Sequence, residues 1–126
     1  MKFIIDGSNA PVFNLGDVRF TVLAAPSRGS QENSVWRISM APGVAPGRVH
    51  RVTREEVFVA LAGQASVTVG AETATLMAGS ALVVPPDTDF SIANVGKEPF
   101  EAVAVLPVGG HAVLPGEAPF VPPWAA

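Results

Sequence analysis

The 126-residue chain is expected to be all-β, folded as one sandwich or closed barrel, on the strength of three observations. No segment sustains apolar residues at helical spacing for three turns. Twelve prolines and twelve glycines break the chain throughout. Between them lie short runs rich in β-branched and apolar residues, the composition that suits a pleated, half-buried surface.

The expected strands are 18–24, 35–40, 56–61, 65–69, 73–77, 81–84 and 100–106. Each is bounded by a turn signal such as Pro42-Gly43, Ala62-Gly63-Gln64, Ala78-Gly79, Pro85-Pro86-Asp87 or Val95-Gly96-Lys97. Gly63 and Gly79 fall between strands, where a tight turn needs positive φ, and Pro85 ends a strand by withdrawing a ladder donor. After Pro107 the composition changes: Gly109-Gly110 and Pro115-Gly116 lead into a proline-rich end with Phe120 and Trp124. Residues 1–107 are therefore expected to form the barrel domain. Residues 108–126 are expected to form a tail whose two aromatics pack on the barrel or on a partner subunit.

Composition narrows the function classes. Nearly half of the residues are hydrophobic, enough for one core without covalent staples. With no cysteine, disulfides and thiolate metal sites are excluded, and a reducing compartment fits. The amino terminus reaches Asp6 after only three apolar residues, too few for a signal peptide, and no later run approaches a membrane span, so a soluble cytoplasmic protein is expected. A net charge of −3 provides no long-range attraction for nucleic acid, and Glu55 and Glu56 interrupt the arginines at 48, 51 and 54.

Two stretches carry more specific information: PGVAPGRVHRVTREEVFVALAG from Pro42 to Gly63, and GSALVVPPDTDFSIAN from Gly79 to Asn94. Together they resemble the two conserved motifs of the cupin family. The first motif runs from a glycine to a His-x-His pair, then to a glutamate and a glycine. His50, Glu56 and Gly63 keep its spacing, Gly43 lies one residue upstream of the usual place, and Val52 stands at the second histidine. In the second motif Gly79, Pro85 and Asn94 match, Asp87 replaces a glycine and Phe90 replaces a histidine. The resemblance implies a single small cupin barrel, a jelly-roll-like double-stranded β-helix, often assembled as a homodimer. It also implies a metal site, but Val52 and Phe90 occupy two of the family's four ligand positions. A histidine and a carboxylate fall short of the three protein ligands of zinc or the two-histidine, one-carboxylate face of non-haem iron. No metal cofactor is therefore expected.

Strand alternation puts residues of equal parity on one face, so His50, Val52, Glu56, Phe58 and Ala60 are expected to share the barrel interior. A glutamate among apolar neighbours must be paired or protonated, and His50 is the expected hydrogen-bond partner of Glu56. Arg48 has the same parity and is expected either to reach the barrel mouth and hold an anion or to pair with Glu55 on the surface. Trp36, Val52, Phe58 and Phe90 are the candidate walls of a substrate pocket, with core packing an equally simple role for Trp36.

Three functions suit this pattern. In the first, the barrel encloses a small organic molecule, and His50, Glu56 and Arg48 catalyse metal-independent isomerisation, epimerisation, dehydration or cyclisation by proton transfer. Metal-free epimerases and small cyclases acting on polyketides occur among the proteins it resembles. In the second, the barrel binds a ligand without catalysis. In the third, a transition metal is held by an unusual set completed by Asp87, Asp89 or His111, as in an oxygenase-type cupin.

Overall fold

The computed structural model describes residues 3–126; Met1 and Lys2, the first two residues of the amino-terminal stretch read above, lie outside the described residues. Eleven strands follow in order: β1 (Val12–Leu15), β2 (Val18–Ala24), β3 (Asn33–Met40), β4 (Arg51–Val52), β5 (Glu56–Ala62), β6 (Gln64–Val69), β7 (Glu72–Met77), β8 (Ala81–Val84), β9 (Phe90–Ala93), β10 (Phe100–Pro107) and β11 (Ala112–Val113). All seven expected strands are present, within two residues at each end. The four that the sequence did not signal are short. β4 and β11 have two residues each, and β1 is exposed at all four positions, so no face of it carries a hydrophobic pattern.

The strands form an antiparallel six-stranded sheet in the order β1-β2-β3-β10-β5-β8, a three-stranded sheet β7-β6-β9 and the small pair β11-β4. A single hydrophobic core draws on both larger sheets. β10 lies near the middle of the larger sheet and alternates strictly, with Phe100, Ala102, Ala104 and Leu106 turned inward. Its register matches small against large. Ala104 lies between Trp36 on β3 and Phe58 on β5, so an alanine gives each ring room on the same face.

The two motifs also shape the backbone. Gly63 joins β5 to β6 at φ 73°, and a Cβ there would come within 2.2 Å of the Pro99 carbonyl oxygen, so a side chain is excluded by conformation and by space. Asp87, at the position of a family glycine, holds φ 56°, the left-handed region that aspartate tolerates better than most residues. Asn94 is fully buried. Its amide donates to the carbonyls of Met40 (3.1 Å), Ala41 (3.2 Å) and Glu98 (2.8 Å), and its Oδ1 accepts from the Gly96 N–H (3.1 Å), tying the end of β3 to the β9–β10 connection.

The tail does more than lie on the surface. Its β11 pairs with β4 through Ala112 and Val52, while Ala112 also bridges to Phe120. Trp124, in a 3-10 turn at Pro123–Ala125, stacks on Phe20 of β2 with ring centroids 3.8 Å apart and planes 8° from parallel. The buried Ser34 hydroxyl donates to the Ala125 carbonyl at 2.6 Å. Phe120 packs less completely and keeps 38 % of its surface exposed. Among the described residues no helix is long and apolar enough to cross a membrane.

Candidate functional site

The barrel encloses a cavity of about 700 Å³, room for a small organic molecule. Its walls come from both motifs and from the tail. His50, Val52, Glu56 and Phe58 reach it from the first motif, Phe90 from the second, Trp36 from β3 and Arg48 from the loop before β4. All seven candidate site residues thus line one cavity. Sequence reasoning missed Phe20, Ile38, Leu114 and Phe120, which line it as well. The alternation of β2 and β3 and the aromatic tail held that signal, but nothing in the sequence says which buried residues border empty space.

The backbone explains why the two motifs meet. The His50 N–H donates to the Phe90 carbonyl at 3.2 Å, and the Phe90 N–H returns a bond to the His50 carbonyl at 2.9 Å. This exchange sets the two rings side by side, with centroids 4.3 Å apart and planes tilted by 48°. Phe90 in turn stands 6.2 Å from Phe58 in a tilted pair. Two of the family's three histidine positions thus stand side by side on one wall of the barrel, one of them filled by a phenyl ring.

Glu56 begins β5, 5 % exposed, with its inward parity shared by Phe58 and Ala60. Burial pushes its carboxyl up to about 8, and among the described residues neither a hydrogen bond nor an opposite charge offsets that burial. At neutral pH it is chiefly a neutral carboxylic acid, able to donate a hydrogen bond. The expected direct hydrogen bond from His50 to Glu56 is not formed. Instead His50 Nδ1 lies 3.0 Å from the Arg48 carbonyl oxygen, two residues back on the same loop. A carbonyl can only accept, so Nδ1 carries the proton and Nε2 of the neutral ring keeps its lone pair.

Arg48 pairs with Glu117 of the tail at 3.0 Å, not with Glu55, and 64 % of its side chain is exposed. The Trp36 indole is buried in the wall, and its Nε1–H has no acceptor among the described residues. The residues named as replacement metal ligands lie elsewhere. Asp89 is tied to Arg51 at 2.7 Å on the outer surface, and His111 Nδ1 bonds the Gly109 carbonyl at 2.8 Å. Among the described residues no three histidine, cysteine, aspartate or glutamate side chains gather in one place. The donor set therefore does not fit a divalent metal, because the two remaining family positions carry Val52 and Phe90, side chains without a lone pair to offer.

The cupin domain family model matches residues 36–106, more than half of the chain and all of both motifs. The chain belongs to the cupin family. Solved structures agree on the fold. The polyketide cyclase RemF from Streptomyces resistomycificus superposes with a TM-score of 0.79 at 11 % identity, over 94 % of this chain and 88 % of that one. An RmlC-like cupin from Shewanella frigidimarina gives 0.70 at 19 % identity, over 85 % and 91 %. The oxalate decarboxylase OxdC of Bacillus subtilis, as its S161A mutant, gives 0.69 at 18 % identity, over 79 % of this cupin and 28 % of the enzyme. No curated protein sequence matches the chain.

Proposed function

We propose that this cupin binds a small organic molecule in its barrel and acts on it by metal-independent proton transfer, as an isomerase or cyclase. The observation that carries the proposal is a neutral carboxylic acid, Glu56, lining the same aromatic cavity as His50, whose Nε2 is left as a base. An acid and a base presented to one substrate are what isomerisation, epimerisation, dehydration and cyclisation require. Glu56 would protonate a carbonyl or hydroxyl oxygen while His50 Nε2 removes a proton from carbon or oxygen, and the Arg48 carbonyl would steady the imidazolium through Nδ1–H. Arg48 itself would have to leave Glu117 before gripping a developing anion. The superposition on RemF, a polyketide cyclase, supports a cyclase over the other members of the class.

A second reading, a cupin that binds without catalysis, is favoured by one observation: His50 and Glu56 do not bond each other, so neither is oriented by the other. Conversion of the bound molecule separates the two. Native mass spectrometry of protein purified without dialysis should show a retained organic molecule. Its turnover by the wild type should fall roughly 100-fold in both His50→Ala and Glu56→Gln. A molecule that is retained but never converted would select the binding-only reading. We also propose a homodimer in the cytoplasm. The exposed outer side chains of Val59, Leu61 and Val83 would meet a second copy, a state that light scattering reads directly as twice the chain mass.

A further inference from the structure

The cavity wall is unusual in what it offers a ligand. Phe20, Phe58, Phe90 and Phe120, with Trp36 and Trp124, supply six aromatic rings. Two polar groups of this wall lack a protein partner among the described residues: the Trp36 Nε1–H, which has no acceptor, and the Glu56 carboxyl, whose burial no hydrogen bond offsets, a cost that a ligand's own polar group would relieve. The lining arginine, Arg48, lies at the rim with most of its side chain in solvent and is already paired with Glu117. Asp17 is also part of the lining. An organic anion entering this space would lose its hydration among largely apolar walls and, among the described residues, find no unpaired arginine or lysine to offset that loss. An uncharged ring compound would bury its faces against the six aromatics and spend a single hydroxyl or carbonyl oxygen on Glu56.

We propose that the ligand of this cavity is an uncharged, ring-bearing molecule whose hydroxyl or carbonyl oxygen hydrogen-bonds Glu56, and that the same wall excludes organic carboxylates. The inference rests on the reading that the barrel takes a small organic molecule, and it is independent of whether proton transfer follows.

Three probes of one shape test it: naphthalene, 2-naphthol and 2-naphthoate, titrated into the full chain at pH 6.5 with binding read by fluorescence and calorimetry. The expected order is 2-naphthol first, about 10-fold tighter than naphthalene, with 2-naphthoate at least 10-fold weaker than 2-naphthol. Glu56→Leu should erase the advantage of 2-naphthol and leave naphthalene bound as before, and Glu56→Gln should restore part of the advantage. Binding of 2-naphthoate as tight as that of 2-naphthol overturns the proposal without any variant. So does an advantage of 2-naphthol that survives Glu56→Leu. If all three bind alike, the inference is overturned while the organic-ligand reading stands. If none binds to the wild type, the organic-ligand reading fails together with the inference.

Discussion

Replacing Glu56 by glutamine should change how stability depends on pH more than it changes stability itself. In the folded chain burial holds the Glu56 proton up to about 8, whereas a carboxyl in the unfolded chain releases it near the ordinary value of 4.5. Between those values the folded state binds more protons than the unfolded state, so stability is greatest below the window and falls as pH rises through it. Above about 8 both states are ionised and the slope vanishes. At about 1.4 kcal/mol per pH unit the whole window is worth about 5 kcal/mol, and the step from pH 6 to pH 8 about 2 kcal/mol. For a chain of this length that step corresponds to a fall in Tm of about 8 °C. A neutral amide of the same shape cannot titrate, so Glu56→Gln should lack this component, and its melting curves at pH 6 and pH 8 should differ by that much less. His50, Arg48 and Asp17 line the same cavity and are unchanged in the variant, so the difference between the two proteins isolates Glu56. Wild type and Glu56→Gln showing parallel Tm profiles from pH 5 to pH 9 would refute the reasoning, because Glu56 would then be ionised in the folded state.

The other predictions concern the frame around the site. Asn94→Ala removes four hydrogen bonds from a fully buried position and strands several carbonyls, and should cost about 3 kcal/mol by denaturant titration. Trp124→Ala should cost about 2 kcal/mol through its stack on Phe20, and deleting the tail after Pro107 should cost more, since β11 and part of the cavity wall go with it. If the truncated protein keeps the parent's Tm, the tail contributes no packing. Val52→His combined with Phe90→His should create a zinc site with His50 and Glu56, because all four side chains line one cavity; elemental analysis at one equivalent is the expected result, and unchanged content would mean that their side chains cannot converge.

The parts of this fold legible in the sequence were those set by periodicity and turn chemistry. β10 alternates without exception, and Gly63 stands where both conformation and the Pro99 carbonyl forbid a side chain, so the strand and the turn were readable from residue types alone. β1, β4 and β11 were not, since two residues each are too few for β4 and β11 to show a period and β1 has no buried position. The inward face of the first motif was readable for the same reason as β10: Val52, Glu56, Phe58 and Ala60 have one parity and are all buried. The bonding of His50 was not. Parity places a ring on a face, but the choice between Glu56 and the Arg48 carbonyl depends on loop geometry that no pattern encodes. The partner of Arg48 was hidden too, because Glu117 lies in the tail and its approach follows from the docking of β11 and Trp124.

Solvent-hydrogen exchange tests the proton-transfer proposal most directly. The molecule retained by the purified protein, incubated with it in D2O and analysed by mass spectrometry and proton NMR, should acquire deuterium at one carbon position with the wild type. The exchange should slow roughly 100-fold in both His50→Ala and Glu56→Gln. A bound molecule that takes up no deuterium from the wild type, or exchange at the same rate in both variants, would contradict a barrel in which Glu56 and His50 move protons.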